Sequence, residues 1–257
     1  MERIRTTEIR AYLGRTVLVA GWLHAVRKMG GISFIVVRDG WGMVQAVAED
    51  ETALAPLAEA GAGVESIITV EGEVVAAPQA PGGHELHHPR IAVINPVTEP
   101  LPVTINKRAI KASLTTMLDH AVITNRHPAR RAVLRLAAGV MAAFRSTLTA
   151  RGFTEIQTPK IVAAATESGA NVFQLDYFGR PAFLAQSPQF YKQIMVGVFE
   201  RVFEVGPVFR AEPHDTIRHV NAYVSLDVEM GFIEDHFTVM ALARDVIAAI
   251  LDGLRTG

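Results

Sequence analysis

Apolar and polar residues alternate in short runs over the first hundred positions. The runs are rich in β-branched and aromatic residues and end at glycine-containing turns, which predicts antiparallel strands. The predicted strands cover residues 16–26, 31–38, 43–50, 66–77 and 90–98. A short helix is predicted at 51–60 and a loop at 78–89. Five strands with a helix between the third and fourth predict an all-β OB-fold barrel over residues 1–104, a fold that binds nucleic acids.

The apolar pattern changes in the second part of the chain. Residues 105–127 read as a polar connector, and apolar residues at helical spacing then predict a helix over 128–151. Pro128 suits the first helical turn, and Gly152 suits the position after the last. Further strands are predicted at 153–159, 182–185, 201–209 and 222–232, and further helices at 188–199 and 235–254.

The composition fits a folded protein of one large or two smaller domains. The 257 residues are 49% hydrophobic and 20% charged, which excludes an intrinsically disordered chain. The absence of cysteine excludes disulfides, thiolate zinc sites and cysteine nucleophiles. No uninterrupted apolar run reaches about 18 residues and no signal-peptide pattern is visible, so we expect no membrane span and a cytoplasmic location.

Charge is unevenly distributed, although the formal net charge is only −1. Residues 106–160 hold 10 Lys or Arg against 2 Asp or Glu, whereas the segments on either side are acidic. A basic block of this kind attracts polyanions such as nucleic acids. A solvated helix face has the same composition, so charge alone leaves both interpretations open.

Two short motifs have residues that can bind an amino acid. Glu167 lies in a Ser- and Gly-containing loop, where a carboxylate can hold an ammonium group. Gln189 and Lys192 are three positions apart, so a helix beginning near Pro188 places both on one face, with Lys192 available to a substrate carboxylate. A solvated glutamate and a surface lysine are the alternatives for these residues.

A third motif has the charge pattern of a nucleotide site. Arg210 and Glu212 are two positions apart, and alternation along a strand would place both on one side. A return strand would complete a hairpin that presents Arg210, Arg218 and His219, and cationic groups of this kind suit a nucleotide triphosphate. A hairpin of exposed charges is the alternative.

Taken together, these motifs resemble class II aminoacyl-tRNA synthetases, and specifically the aspartyl enzymes of the archaeal, non-discriminating type. The resemblance covers essentially the whole chain. It implies an OB-fold anticodon-binding domain at 1–104, a hinge at 105–127, and an α+β catalytic domain with an antiparallel sheet and helices at 128–257. The helix at 128–151 with Pro159 resembles motif 1, which forms a homodimer interface. Residues 201–232 resemble motif 2.

The resemblance also implies a role for each motif residue. The QSPQxxK segment ends in Lys192, the family's reader of the aspartate side chain, which favours aspartate over asparagine. The implied aspartate-binding residues are Glu167, Gln189, Lys192, Arg210 and Asp227. The implied ATP-binding residues are Arg210, Glu212, Arg218, His219 and Tyr223. Arg210 is the implied catalytic residue, neutralising the α-phosphate and the attacking carboxylate while aspartyl-adenylate forms; the acyl group then passes to tRNA.

In the OB-fold, the resemblance implies an anticodon site with Arg27, Phe34 and Gln45. Phe34 would stack on a base, although a barrel core position is the alternative for this residue. His24 and Pro81 resemble the residues of relaxed-specificity members, which charge both tRNA(Asp) and tRNA(Asn). The product on tRNA(Asn) would then pass to an amidotransferase.

Two features depart from the family pattern. Motif 3 has no counterpart in the sequence, so we expect an incomplete catalytic domain, with the Mg²⁺ ligands outside this chain and no metal site within it. Ala222 stands where motif 2 normally has glutamate. A tRNA-binding fragment without ligase activity, an asparaginyl enzyme and a paralogue that makes a free amino acid are therefore the alternative functions.

Overall fold

A computed structural model describes residues 1–165, 171–214, 216 and 219–256. The chain divides into two compact units, Met1–Arg131 and Ala132–Gly257, called here the first unit and the second unit. Each unit contains its own cluster of buried apolar side chains. The first unit includes the segment 105–127, called here the linker.

The first unit is an OB-fold barrel, as predicted. Its strands are β1 Arg3–Ile4, β2 Thr16–Met29, β3 Ile32–Arg38, β4 Met43–Ala48, β5 Ile67–Ala76 and β6 His84–Asn95. Helix α1, Ala55–Glu59, lies between β4 and β5. The strand order is β1-β2-β3-β4-β6-β5, and β5 also pairs with β2, which closes the sheet on itself.

Alternation along the strands forms the barrel core. In β2, every second residue from Val17 to Leu23 is buried, whereas the residues between them are partly exposed. Ile35 and Val37 of β3 join the same cluster. This period-two pattern is the signal from which the strands were predicted, because successive side chains of a strand point to opposite faces.

Gly21 lies where β2 passes close to the end of β3. A Cβ atom at this position would lie 2.3 Å from the carbonyl oxygen of Arg38. We expect Gly21→Ala to lower the free energy of unfolding of the first unit by about 2 kcal/mol, because backbone would have to move. Urea denaturation followed by tryptophan fluorescence measures this, since Trp22 and Trp41 both lie in the first unit.

Gly40→Ala is the matched control for this prediction. A Cβ at Gly40 would meet no atom within 4 Å, and its φ is not in the left-handed region. We therefore expect a change well below that of Gly21→Ala. Equal destabilisation by the two substitutions would contradict the close-approach argument.

Two sequence predictions in the first unit are wrong in detail. The loop predicted at 78–89 ends earlier, because β6 begins at His84. A register shift against β5 between Glu71 and Glu73 accommodates Pro89, which cannot donate a ladder hydrogen bond. The polar connector also contains helices, α2 Leu114–Asp119 and α3 Ala121–Thr124. The Ser113 hydroxyl accepts from the N–H of Thr116 at 3.1 Å and caps α2.

The second unit combines short strands with long helices, in agreement with the predicted α+β class. Its strands are β7 Thr154–Glu155, β8 Ile161–Val162, β9 Gln174–Tyr177, β10 Arg180–Leu184, β11 Arg201–Phe209 and β12 Ala222–Met230. The helices are α4 Pro128–Ala150, which begins in the first unit, α5 Gln189–Phe199 and α6 His236–Thr256. One sheet has the order β12-β11-β7 and the other β8-β10-β9. The sequence did not indicate β8, which has two residues, or β9, whose four residues are all exposed.

The two faces of the β11–β12 hairpin have opposite character. Phe203 and Val205 point to one face, where they pack with Phe144 and Leu148 of α4 and with Val246 of α6. The alternate residues carry carboxylates on the other face, and α5 packs against that side. The polar face of the hairpin therefore presents carboxylates that can bind charged groups, and the apolar face forms the core of the second unit.

Helix α4 bears on the expectation of no membrane span. Within the part of the chain that the structure describes, it is long and apolar enough to cross a membrane by length and composition, with a mean hydropathy of 1.2 over its most apolar 18 residues. Arg135 and Arg145 interrupt its apolar run. One helix of this kind is weak evidence, so the expectation stays a prediction.

Candidate amino-acid and nucleic-acid sites

Lys192 is a buried cation on the polar face of the second unit. Its Nζ lies 3.0 Å from Oδ1 of Asp227 and 3.6 Å from Oε2 of Glu229. The lysine is 6% exposed, which is rare for this residue type without a charged partner. The predicted surface-lysine alternative is therefore wrong. Asp227 and Glu229 alternate on β12 and so share a face, and Glu229 was not identified from the sequence.

Helix α5 positions Lys192 as the sequence predicted. Pro188 is the residue before the first helical position, and the hydroxyl of Ser187 accepts from the N–H of Gln189 at 3.2 Å. Gln189 lies one turn before Lys192 on the same face and is half-buried. An ammonium group has three donors. Nζ donates one hydrogen bond to Asp227 and has Glu229 at ion-pair distance, which leaves at least one donor for a substrate carboxylate.

A second buried ionic cluster lies on the same face of β11. The carboxylate of Glu204 accepts from the N–H of Thr158 at 3.0 Å, from its hydroxyl at 2.8 Å, and from Nζ of Lys160 at 2.9 Å. Glu204 is 1% exposed and pairs directly with Asp227 in the strand register. Sequence reasoning did not identify it, although an acidic residue inside the apolar run VFEV was a usable signal.

The placement of Arg210 and Glu212 on one strand is wrong. β11 ends at Phe209, and the backbone then turns, with the N–H of Glu212 bonded to the carbonyl of Arg210 at 2.8 Å. Strand alternation therefore cannot assign a common side to these two half-buried residues. The N–H of Phe209 donates to the carbonyl of Ala185 at 3.0 Å, which places Arg210 close to the segment that leads into α5.

The structure describes only some of the other residues predicted to bind ATP or aspartate. His219 Nδ1 lies 2.7 Å from the hydroxyl of Thr216, in the connection between β11 and β12. Tyr223 is 39% exposed and lies on β12 opposite Val208. Ala222 begins β12. Glu167 and Arg218 lie outside the described residues, so their predicted roles stay predictions.

A cavity of about 640 Å³ in the first unit brings together four residues predicted to contact tRNA. His24, Arg27, Gln45 and Pro81 all line it. The linker contributes further polar and charged side chains to its lining, namely Asn106, Lys107, Arg108 and His127. Sequence reasoning did not assign these linker residues individually, although the basic block indicated the region. The cavity combines cations with amide and imidazole groups, which suits a nucleic-acid segment.

Gln45 of β4 is held by a carboxylate of the neighbouring strand β6. Its Nε2 donates to Oε2 of Glu85 at 3.2 Å, and His87 Nε2 lies 2.9 Å from the other oxygen of Glu85. Because one N–H of the amide is used, Gln45 offers its carbonyl oxygen and its second N–H to a ligand. Glu85 was not identified from the sequence, because it lies in the segment predicted as a loop.

Phe34 does not line the first-unit cavity. It faces Arg27 in the β2–β3 register and is half-buried. The barrel core contains its neighbours Ile35 and Val37, which point to the opposite face, and does not include Phe34. The core alternative is therefore disfavoured, and the stacking role stays a prediction.

His24 occupies a β-bulge. The β2–β3 register shifts between Leu23 and Ala25, so His24 is the extra residue, and bulges commonly re-aim a side chain. Burial lowers the pKa of His24 below its ordinary value, and the charge of Arg38 lowers it further. The imidazole is therefore neutral at pH 7.

Asp39 fixes the turn that leads to Gly42 and Met43, which line the same cavity. Its carboxylate accepts from the N–H groups of Thr6, Trp41 and Gly42 at 2.7 to 2.8 Å. Burial alone would raise the pKa of Asp39, but these hydrogen bonds outweigh it and lower the pKa below its ordinary value. The Asp39 carboxylate therefore stabilises the fold at pH values above its pKa in the unfolded chain. This contribution to stability is lost as the pH falls through the lower pKa that Asp39 has in the folded chain.

We therefore expect Asp39→Asn to lower the free energy of unfolding of the first unit by about 2 kcal/mol at pH 7, because bonds to a charged acceptor are lost. The difference from the wild-type chain should shrink as pH falls below about 4, where the unfolded carboxyl is protonated. Urea titrations with tryptophan fluorescence at neutral and acidic pH measure both effects. A difference that is constant with pH would contradict the assignment.

Comparison with known proteins identifies the family. The profile of tRNA synthetases class II (D, K and N) matches residues 113–257, more than half of the chain. The chain belongs to this family. The profile of the OB-fold nucleic acid binding domain matches residues 17–94. The resemblance of this chain to aspartyl-type enzymes is therefore confirmed at the level of family and fold.

Individual relatives of this chain are named for aspartate or asparagine. An aspartate–tRNA(Asp/Asn) ligase of Deinococcus radiodurans is 51% identical over 255 residues, which is 99% of this chain and 57% of that protein. Asparaginyl-tRNA synthetase of Pyrococcus horikoshii complexed with asparaginyl-adenylate superposes with a TM-score of 0.89 at 30% identity, covering 98% of this chain and 58% of that one. Aspartyl tRNA synthetase of Entamoeba histolytica superposes with a TM-score of 0.80 at 28% identity, covering all of this chain and 56% of that one. The chain thus spans little more than half the length of these relatives.

Proposed function

We propose that this chain belongs to an aspartate–tRNA ligase, which activates aspartate with ATP and transfers it to tRNA. The observation that carries the proposal is Lys192, a buried cation that is paired with Asp227 and Glu229 and retains at least one donor. A substrate carboxylate brings a negative charge to that donor and accepts a strong hydrogen bond from it, whereas the neutral amide oxygen of asparagine accepts a weaker one. The 51% identity to an aspartate–tRNA(Asp/Asn) ligase supports the same substrate.

In the proposed mechanism, charge complementarity positions the substrates. Lys192 binds the β-carboxylate of aspartate, Gln189 contacts the same amino acid, and Asp227 orients the lysine. Arg210 is the catalytic residue: it lowers the repulsion between the attacking carboxylate and the α-phosphate, an electrostatic effect worth a few kcal/mol. Pyrophosphate leaves as the acyl–phosphate bond forms, and no covalent enzyme intermediate is needed.

The other ATP contacts in the proposal follow from the charges of the motif. Glu212 accepts from the adenine amino group, Tyr223 stacks on the ring, and His219 and Arg218 bind the terminal phosphates. Glu167 holds the ammonium group of aspartate. Class II synthetases use ATP and Mg²⁺, but no group of three His, Asp or Glu side chains in the described ranges fits a metal ion. The proposal therefore assigns no residue of this chain to Mg²⁺.

For the first unit we propose recognition of the anticodon of tRNA(Asp) and tRNA(Asn). Four of the proposed contacts line one cavity, and the relatives' relaxed specificity matches the assignment of His24 and Pro81. Aspartate attached to tRNA(Asn) would then be converted by an amidotransferase. We also propose a cytoplasmic homodimer formed through α4, whose exposed apolar residues Val133 and Leu136 suit an interface.

A second candidate function is tRNA binding without ligase activity. It is favoured by the first-unit cavity, whose lining comes from residues of that unit alone. The two functions share the RNA-binding step and differ in whether aspartate is activated.

Aspartate-dependent ATP–pyrophosphate exchange by the 257-residue chain separates the two functions. We expect exchange with aspartate and not with asparagine. Exchange that is absent, together with retained binding of a tRNA(Asp) anticodon stem-loop, would favour the binding function. Exchange stimulated by asparagine would contradict the aspartate assignment.

A further inference from the structure

Glu65 adopts a backbone conformation that residues with a side chain rarely populate. Its φ is +73°, and the residue is 2% exposed. Its N–H donates to the carbonyl of Leu23 at 2.8 Å, and the N–H of Leu23 donates to the carbonyl of Ser66 at 2.8 Å. These two bonds fix Glu65 beside the residue that precedes the His24 bulge.

The Glu65 carboxylate joins two separate segments of the first unit. Nη2 of Arg38, at the end of β3, lies 2.6 and 2.8 Å from its two oxygens. Nη1 of Arg126, in the linker, lies 3.0 Å from Oε2. The side chains of Glu65 and Arg38 are 1% and 3% exposed, so separating them would leave a buried charge unpaired.

Hydrogen bonds join the two ends of the linker to each other and join its first end to the His24 bulge. The residue after Arg126 is His127, whose Nδ1 accepts from the N–H of Ala129 at 3.2 Å. Its Nε2 therefore carries the proton and donates to the carbonyl of Lys107 at 3.0 Å. The side-chain amide of Asn106 donates to the carbonyl of His24 at 3.2 Å. Both ends of the linker thus meet beside the cavity.

We infer that Glu65 is a positioning residue for the first-unit cavity. Through Arg126 it holds the linker in place as one wall of the cavity, at a fixed distance from His24 and Gln45. The width of the cavity fixed in this way sets the discrimination between anticodon bases. The part of this inference that concerns RNA rests on the proposed function. The part that concerns the linker does not.

Hydrogen exchange of the full chain tests the linker without RNA. We expect Arg126→Gln to speed exchange of amides in residues 105–127 by about tenfold, because the loss of a hydrogen bond to a charged group loosens the wall. Arg126→Lys keeps the cation and should restore most of the protection. The exposed Arg10→Gln is the control with the same charge change. Exchange at wild-type rates in Arg126→Gln would overturn the inference.

RNA binding tests the consequence for base discrimination. The probes are the anticodon stem-loop of tRNA(Asp) and the same stem-loop with its middle anticodon base changed. We expect Arg126→Gln to reduce the ratio of the two affinities by about tenfold while leaving the salt dependence unchanged, since a positioning residue neutralises no phosphate. In a Glu65→Gln chain, Arg126→Gln should add nothing further.

Two RNA results would overturn the inference. One is an equal loss of affinity for both stem-loops with a shallower salt dependence, which would make Arg126 a direct phosphate contact. The other is a full additional loss in the Glu65→Gln chain. If the wild-type chain binds neither stem-loop, the proposed RNA function fails, and the exchange measurement alone decides whether Glu65 positions the linker.

Discussion

Replacing Lys192 with methionine is expected to weaken binding of a non-hydrolysable aspartyl-adenylate analogue by about 1000-fold. Methionine retains the volume of the side chain but removes the cation, so the ligand carboxylate would enter a site that already holds Asp227 and Glu229. Removing one partner of a desolvated charge pair costs about 2–5 kcal/mol, which corresponds to this loss. Isothermal titration of the full chain measures the affinity directly.

Three further variants serve as controls for this prediction. Asp227→Asn should weaken binding more than Glu229→Gln, because the lysine nitrogen is 3.0 Å from the first carboxylate and 3.6 Å from the second. Arg151→Met breaks a partly exposed ion pair with Asp245 and should leave affinity unchanged. Unchanged affinity in Lys192→Met would remove the lysine from the aspartate site.

Replacing Glu204 with glutamine is expected to destabilise the second unit by about 3 kcal/mol. The amide can accept from only part of the donor set supplied by Thr158 and Lys160, and the ammonium group then loses its anionic partner. Far-UV circular dichroism during urea denaturation reports on the long helices of this unit. Tryptophan fluorescence should be unchanged, because both tryptophans lie in the first unit.

Lys160→Met separates the ion pair from the other roles of Glu204. If the ion pair with Lys160 is the main stabilising contact of Glu204, the double variant Lys160→Met with Glu204→Gln should lose less stability than the two single variants lose in sum. Additive losses would show that Glu204 acts through Thr158 alone. A fluorescence transition that shifts together with the dichroism would contradict an effect confined to the second unit.

The local spacing of apolar and polar residues predicted most of the strands and the long helices of this fold. Period-two alternation located β2 to β5, and helical spacing located α4 to α6, because both patterns follow from which face of an element is buried. The start of β6 was not predictable in the same way. It follows from pairing with β5, the preceding strand, and with β4, which is distant in sequence, whereas the HELHHP segment has little strand propensity of its own.

The candidate sites were predictable only to the level of motifs. Gln189 and Lys192 were placed on one helix face from their spacing, whereas the contact between Lys192 and Glu229 depends on how β12 packs under α5. The bulge at His24 and the left-handed backbone of Glu65 likewise depend on strand register and tertiary bonds, which spacing along the chain does not encode.

Discrimination between aspartyl-adenylate and asparaginyl-adenylate analogues by the wild-type chain tests the central claim most directly. The two ligands differ by one charged oxygen, at the group proposed to meet Lys192. We predict that the aspartyl analogue binds at least about 100-fold more tightly, because only its side chain brings a negative charge to the buried cation. Equal affinities, or tighter binding of the asparaginyl analogue, would contradict the assignment of this site to aspartate.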